Sequence, residues 1–356
     1  MRAVHVILPN DIDDPTTPSG GNVYDRRICR GLGASGWSVR EHAVRGAWPS
    51  PGAGERAAVA RVLAGLPDGA LVLLDGLVAS AVPDELTPQA RRLRLVVLVH
   101  MPLGDADTGR RDQERQALSA AVGVVATSHW SRQRLIEVYG LEPTRIHAAP
   151  PGVDPAALVP GSDAGSELLC VAAVTPQKGY DLLVDALARL RGVTWRCVCV
   201  GPLDRDRAFA DQVRDRARSV GIADRLTFAG PRTGRALENR YAAADLLVLP
   251  SRGETYGMVV TEALARGIPV LVTGVNGVPE ALGRAPDGSL PGLLVPPGDP
   301  AALAGALRRW LAEPDLRRRL RRSARDRRAT LTGWAATSAL VSDALSGFAT
   351  RLGATR

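Results

Sequence analysis

Glu254 and Glu262 flank Gly257 in the stretch 245–273, Asp-Leu-Leu-Val-Leu-Pro-Ser-Arg-Gly-Glu-Thr-Tyr-Gly-Met-Val-Val-Thr-Glu-Ala-Leu-Ala-Arg-Gly-Ile-Pro-Val-Leu-Val-Thr. A helix opening after Gly257 would present free backbone N–H groups around Tyr256–Val259, at the positive end of its dipole. A diphosphate fits such a place. Glu262, about one turn into that helix, stands at a depth where it can accept hydrogen bonds from two ribose hydroxyls. Glu254, ahead of the helix, faces whatever the diphosphate carries. On spacing alone, two solvated glutamates, one favoured by the dipole, are the simpler reading.

Lys178 and His100 are the other candidates. Lys178 is the single lysine among 45 basic residues. A sequence that writes arginine wherever arginine will do keeps one compact ammonium, next to Gly179 at a β–α turn where it can pair with a phosphate. An exposed surface lysine is the alternative. His100 ends an apolar run in His-Met-Pro-Leu, at the carboxyl edge of a strand, where open α/β sheets bind their ligands. It reads equally as a structural histidine. His5, His42, His129 and His147 look structural or exposed. Asp-x-Asp occurs at Asp11/Asp13, Asp105/Asp107 and Asp204/Asp206, always in loops, and reads as chance in an Asp-rich chain rather than as a metal site.

These residues need elements to hold them. Leu246–Leu249 reads as a buried parallel strand, Met258–Ala265 as a helix stopped by Gly267 and Pro269, and Val270–Thr273 as the next strand. Towards the N-terminus, Ala3–Leu8, Trp37–Val44, Ala70–Leu74, Leu93–Val99, Val122–Thr127 and Arg145–Ala149 read as strands. Helical stretches separate them: one from Gly20-Gly21 with Val23, Ile28 and Leu32 as apolar positions, then Glu55–Leu66, Arg110–Ala121 and His129–Tyr139. Leu168–Val174, Trp195–Val200, Leu226–Ala229 and Leu293–Val295 continue the strands. The helix after Lys178-Gly179 carries an apolar face of Leu182, Leu183, Ala186, Leu187 and Leu190. Residues 300–328 read as helical with a break at Pro314. Gly333–Leu352 reads as a terminal helix with Leu340, Ala344 and Phe348 on one face. Alternation throughout predicts parallel, doubly wound α/β sheets. No Gly-x-Gly-x-x-Gly follows the first strand directly, so a dinucleotide fingerprint is absent.

The 245–273 stretch closely resembles the donor-site signature of retaining glycosyltransferases of family 4 (glycosyl transferases group 1), which have the GT-B fold. The match rests on Pro250, Ser251, Glu254, Gly257, Glu262, Ala263, Gly267 and Pro269–Val270. Gly20-Gly21, Pro151–Asp154 and Gly277-Val278-Pro279-Glu280 resemble further turns of that family. The resemblance implies two Rossmann-like domains facing across a cleft. Residues 1–160 would bind the acceptor, 161–335 the nucleotide sugar, and 336–356 would form a terminal helix crossing back to the first domain. It implies that Glu262 holds the nucleotide ribose and Glu254 the transferred sugar. Thr255, Tyr256, Gly257, Met258 and Val259 would contact sugar and phosphate. Gly20 and Gly21 would face the diphosphate, Lys178 would bind phosphate, and His100 would lie near the transferred sugar. The family's usual arginine is missing from Val171–Val174. Arg252 and Arg205 are the candidates for a second phosphate cation.

The donor is expected to be a UDP- or GDP-sugar, and the acceptor a small molecule, glycan or lipid. No cofactor and no metal are expected, because helix dipoles and one cation can neutralise a leaving diphosphate. A sugar-nucleotide epimerase and a non-catalytic sugar-nucleotide-binding subunit are the rival readings. Hydrophobic content of 45% and charged content of 23% suit a soluble globular protein, and 356 residues suggest two domains. No run spans a bilayer, and residues 1–8 are too short for a signal peptide, so a cytoplasmic protein is expected. The net charge of +8 is concentrated at Arg317–Arg328, read as a solvated helix face, with peripheral membrane contact left open. Aromatics are 4% and none interleave with that block, which argues against nucleic acid. The four cysteines match no metal or disulfide pattern and read as small buried hydrophobes.

Overall fold

The structure, a computed structural model, describes residues 2–16 and 18–350. Among these the strands form two six-stranded sheets in which every pairing is parallel. The chain folds as two units, residues 1–14, 19–152 and 333–356, and residues 15–18 and 153–332. The divisions fall after Gly152 and Thr332, ahead of the expected 160/161 and 335/336. Their cause is local: the Val153 N–H donates to the Thr332 carbonyl at 3.0 Å, closing the second unit on itself.

In the first unit the strands are β1 (Arg2–Pro9), β2 (Trp37–Val44), β3 (Leu71–Asp75), β4 (Arg94–Val99), β5 (Gly123–Ala126) and β6 (Ile146–Ala148). Their order is β2-β1-β3-β4-β5-β6, so the chain reverses its direction across the sheet between β1 and β3. Both faces of the sheet are covered by apolar packing. That double burial is why β3 reads as an unbroken apolar run, Leu71-Val72-Leu73-Leu74. In the second unit the strands are β7 (Glu167–Val171), β8 (Arg196–Val200), β9 (Leu226–Gly230), β10 (Leu246–Leu249), β11 (Val270–Thr273) and β12 (Gly292–Val295). Their order is β12-β11-β10-β7-β8-β9, and the reversal lies between β10 and β7. In open α/β sheets, ligands bind outside the carboxyl ends of strands at such a reversal.

The terminal helix, Trp334–Thr350, belongs to the first unit and packs on the Gly20–Ala34 helix and the sheet. Two glycines allow the approach: a Cβ at Gly31 would sit 1.9 Å from Ser338 Oγ, and one at Gly123 would sit 2.1 Å from the Phe348 ring. Trp37 Nε1–H donates to Ser342 Oγ at 2.9 Å. The buried stripe is Thr337, Val341, Ala344 and Phe348, while Leu340 is 46% exposed, against expectation. Steps of four residues drift around an α-helix, so Leu340 lies off the stripe that alternating steps of four and three keep in register. Residues 351 and 352 of the expected helix lie outside the described residues. Val23 is likewise exposed, and the Gly20–Ala34 helix buries Tyr24, Asp25, Ile28, Cys29 and Leu32 instead.

The arginine block is only partly the solvated face that its composition suggests. The Pro314–Arg327 helix turns Arg317 inward, where it is 7% exposed. Its guanidinium donates to the carbonyls of Trp310, Leu311 and Asp163 at 2.8, 2.9 and 3.1 Å. Arg321 pairs with the buried Asp245 at 3.0 Å, and Arg327 donates to the Leu282 carbonyl at 3.1 Å. All four cysteines are buried free thiols, as expected. No helix among the described residues is long and apolar enough to cross a membrane.

Candidate functional site

In the second unit, two β–α turns that are far apart in sequence are neighbours because β7 and β10 pair directly. After β7 the chain makes a short 3-10 turn, Pro176–Lys178, and Gly179 adopts φ 69° before the Tyr180–Ala188 helix. Gly179 is required twice over: its φ is left-handed, and a Cβ would sit 2.1 Å from the Pro250 carbonyl oxygen. After β10 comes the loop 250–257, tied to the first turn by the Arg252 N–H donating to the Gln177 carbonyl at 2.8 Å. A third loop, after β11, closes the set. The Gly277 N–H donates to the Glu254 carbonyl at 3.0 Å, and a Cβ on Gly277 would collide with the Thr255 carbonyl at 2.0 Å.

This framework brings Lys178 and Glu254 together. Lys178 Nζ donates to Glu254 Oε1 at 2.6 Å, and Ser251 Oγ donates to the same oxygen at 2.9 Å. Ser251 is fully buried and fixed in turn by Thr273, whose hydroxyl donates to its carbonyl at 2.5 Å. Gly257, with φ 93°, is the N-cap of the Met258–Ala265 helix, and no side chain caps the helix amides. An L-residue at that φ would be strained. Thr255, Met258 and Val259 are half-buried beside these amides, and Tyr256 is buried against the core behind them.

Glu262 lies one turn further on. Burial raises the pKa of its carboxyl, while the hydrogen bond from Tyr241 and the charge of Arg266 lower it; the net direction is up. The Tyr241 hydroxyl donates to Oε2 at 2.6 Å. Tyr241 is fully buried, and the Arg266 guanidinium covers its ring at 4.3 Å while donating to the Glu262 carbonyl at 2.6 Å. One carboxylate oxygen is thus held from within the protein. Tyr241 has no sequence signal beyond its place in an amphipathic helix.

The two candidates for a second cation lie in different surroundings. Arg252 forms a two-pronged pair with Asp181 at 2.8 and 2.6 Å and donates to the Pro176 carbonyl. Arg205 is exposed in the loop after β8. The Asp-x-Asp loops are largely occupied by local partners. Asp13 pairs with Arg26 at 2.6 Å, Asp105 with Arg134 at 2.8 Å and Asp107 with Arg110 at 3.2 Å. Asp206 accepts from the Phe209 N–H at 3.0 Å.

In the first unit, two buried carboxylates and a half-buried imidazole meet at the reversal between β1 and β3. His100 follows β4, Asp75 ends β3, and Asp25 lies in the helix after β1. His100 Nε2 is 2.8 Å from Asp25 Oδ1 and 3.4 Å from Asp75 Oδ2. Burial pulls the pKa of His100 down, but the charge and hydrogen bond of Asp25, then those of Asp75, raise it to about 10. Burial raises Asp25, His100 lowers it, and Asp75 raises it again, to about 6. Asp75 also caps the Gly76–Ala81 helix, accepting from the N–H groups of Leu77 and Val78 at 2.8 and 3.2 Å. Gly20 and Gly21 open their helix as expected, with Ser19 as N-cap. A Cβ on Gly21 would be 3.3 Å from the His100 ring.

Two family models divide the chain between them. "Glycosyltransferase Family 4" matches residues 18–157 and "Glycosyl transferases group 1" matches residues 162–327. The chain belongs to the group 1 glycosyltransferases. A D-inositol 3-phosphate glycosyltransferase from Kineococcus radiotolerans is 36% identical over 260 residues, which is 66% of this chain. That match spans only 60% of the relative's own length. Among solved structures, sucrose-phosphate synthase from Thermosynechococcus elongatus superposes with a TM-score of 0.77 at 23% identity, covering 98% of this chain and 99% of that one. HepE from Anabaena in complex with UDP-glucose gives a TM-score of 0.79 at 17% identity, covering 98% and 100%. At these identities the likenesses speak to architecture, and with the family models they make the fold GT-B.

Proposed function

We propose that this group 1 glycosyltransferase moves a sugar from a nucleotide diphosphate sugar to an acceptor hydroxyl, with retention at the anomeric carbon and without a divalent metal. The observation that carries the reading is the Lys178–Glu254 pair, 2.6 Å apart beside the uncapped amides of the Met258–Ala265 helix. The helix amides and Lys178 take the diphosphate, the former through the dipole and the latter as a point charge. Glu262 takes the ribose hydroxyls with the carboxylate oxygen that Tyr241 leaves free. Glu254 takes the transferred sugar, and so does His100, by resemblance to the family.

In the reaction the bond from the anomeric carbon to the diphosphate oxygen breaks, and a bond from the same carbon to the acceptor oxygen forms on the same face. The acceptor proton passes to the departing phosphate oxygen, so no enzyme nucleophile is required. The protein's part is to stabilise the charge that develops on the diphosphate. UDP-sugars and GDP-sugars are the donors to assay first. The relative named for an inositol phosphate makes a phosphorylated polyol the first acceptor.

The test is release of nucleoside diphosphate by the purified chain, with and without EDTA, followed by NMR of the product's anomeric configuration. Acceptor-dependent release that survives chelation and gives a retained product is expected. Release of an epimerised free sugar without acceptor, an inverted product, or turnover restored only by Mg²⁺ or Mn²⁺ would each overturn the corresponding part.

A further inference from the structure

We propose that Asp25 and Asp75 are positioning residues that keep His100 as an imidazolium and orient its ring, leaving Nδ1–H to donate to a hydroxyl of the sugar substrate. This rests on the proposed role of His100 at the transferred sugar. The argument begins with geometry. Both carboxylates address the same ring nitrogen, Nε2, at 2.8 and 3.4 Å. They come from different elements, one from the helix after β1 and one from the end of β3, so the ring is held from two directions. Among the described residues none hydrogen-bonds Nδ1, and the side chain keeps 16% of its surface exposed.

The surroundings favour the charged ring. Asp25 and Asp75 are 2% and 3% exposed, so neither has water to solvate its charge. Two buried carboxylates this close are compensated best by a cation between them. The other groups packed on the ring bring no competing charge. Tyr24 meets it edge-on at 5.4 Å, and burial followed by the charge of Asp25 pushes the Tyr24 phenol well above its ordinary range. Thr127 donates to the His100 carbonyl at 3.2 Å, and Gly21 offers no side chain at all. A Cβ at Gly21 would press on the ring at 3.3 Å, so glycine there lets the imidazole lie close to the helix start. The positive end of that helix would disfavour the imidazolium. Two carboxylates are therefore needed where one would suffice elsewhere.

The imidazolium makes a different reagent of His100. A neutral imidazole whose Nε2–H faces the carboxylates presents Nδ1 as an acceptor. The charged ring presents Nδ1–H as a donor, and a charge-assisted one. The two aspartates thus choose whether the substrate meets a donor or an acceptor.

The test separates this from the glycosyltransferase reading because it needs no turnover. The chain has five histidines, so His100 can be followed by NMR of the ring carbons in the full protein, with His100→Gln to assign it. In the wild type the ring should stay protonated past about pH 8, well above an ordinary histidine. In Asp25→Asn its midpoint should fall to about pH 7 or below. Asp75→Asn should lower it less, and that variant keeps the cap oxygen for Leu77 and Val78. In turnover, Asp25→Asn should lose about tenfold in kcat above pH 8 and regain it near pH 6, with donor KM little changed. A merely structural role would lower both at every pH. A wild-type midpoint near 6.5, or one that neither variant moves, overturns the proposal. So does a stoichiometric divalent metal in the purified chain that His100→Gln releases. Should Asp25→Asn not fold, the wild-type midpoint and Asp75→Asn still decide.

Discussion

Lys178 Nζ and Glu254 Oε1 are 2.6 Å apart although 76 residues separate them, because β7 and β10 lie side by side and each carries its turn to the same end of the sheet. The pair is partly sheltered, with side-chain exposures of 27% and 11%. Lys178→Arg should therefore be damaging even in a chain that uses arginine for every other cation. A guanidinium is planar and wider than an ammonium and seeks two acceptors in its plane, whereas Lys178 meets a single Glu254 oxygen that Ser251 also shares. A small displacement of a reacting group can cost about a hundredfold in rate. Lys178→Ala should be worse, since Arg252 is committed to Asp181. Turnover and nucleotide affinity, with folding followed by circular dichroism, check this; wild-type turnover in Lys178→Arg would make the lone lysine an accident of composition.

Glu262→Ala should weaken binding of the sugar nucleotide and spare the fold. A lost charge-assisted hydrogen bond is worth about 1.5–3 kcal/mol, roughly ten- to a hundredfold in affinity. Tyr241→Phe should have a smaller effect in the same direction, about fivefold, because it removes only the 2.6 Å bond that steadies Oε2. Calorimetric titration with the nucleoside diphosphate measures both. Equal affinity in wild type and Glu262→Ala would end the ribose assignment.

Much of this site was legible in the sequence because its signals are local. Leu246–Leu249, Met258–Ala265 and Val270–Thr273 fall where an apolar run, a glycine stop and a proline place them. What escaped were the residues that act from a distance. Asp25 sits in a helix whose pattern gives no reason to bury a carboxylate, and only the reversal between β1 and β3 brings it to His100. Tyr241 reaches Glu262 from the preceding helix. Arg317 looks like its neighbours in an arginine run, yet three backbone carbonyls draw it inward. Gly76–Ala81 and Pro83–Leu86 form two helices too short to show a periodicity, the first started by the Asp75 side chain. In each case the deciding contact is made across the fold or by a single cap, and periodicity sees neither.

Stability should fall below neutral pH through His5 and His42. His5 Nδ1 and His42 Nε2 are 2.9 Å apart on β1 and β2, with the rings stacked at 5.2 Å. Burial lowers the pKa of both, and for His5 the charges of His42 and Arg40 lower it further. The folded form therefore binds protons less readily than the unfolded chain. The stabilising effect is complete above the ordinary histidine value near 6.5 and is lost as pH falls below it. Melting temperatures from pH 8 to pH 5 should show a decline that His42→Gln makes shallower. Parallel pH profiles for the two proteins would remove the pair from the account.

Asp245→Ala should lower stability strongly while leaving donor binding intact at temperatures where the variant is folded. Asp245 is 2% exposed and accepts four hydrogen bonds. The donors are the Ser162 N–H at 2.5 Å, the Ser162 hydroxyl at 2.7 Å, the Glu167 N–H at 3.0 Å and the Arg321 guanidinium at 3.0 Å. Its own N–H donates to the Glu167 carbonyl at 2.8 Å, so one residue fastens the starts of β7 and β10. Removing it leaves three donors without their acceptor and takes the anionic partner from the Arg321 guanidinium, which among the described residues keeps only the Ser162 carbonyl as acceptor, at 2.5 Å. Breaking a buried pair from one side costs about 3–5 kcal/mol, which in a unit of this size lowers Tm by roughly 10 °C. Arg321→Leu should cost less, because the other three donors still satisfy the carboxylate. The site should not respond, since Lys178 and Glu254 lie at the opposite ends of the same two strands. Differential scanning calorimetry of both variants, paired with nucleotide titration at 20 °C, separates the two effects. An Asp245→Ala protein that melts with the wild type would show that the buried carboxylate adds nothing to the fold. One that is folded but has lost nucleotide affinity would show that the two ends of the sheet are coupled.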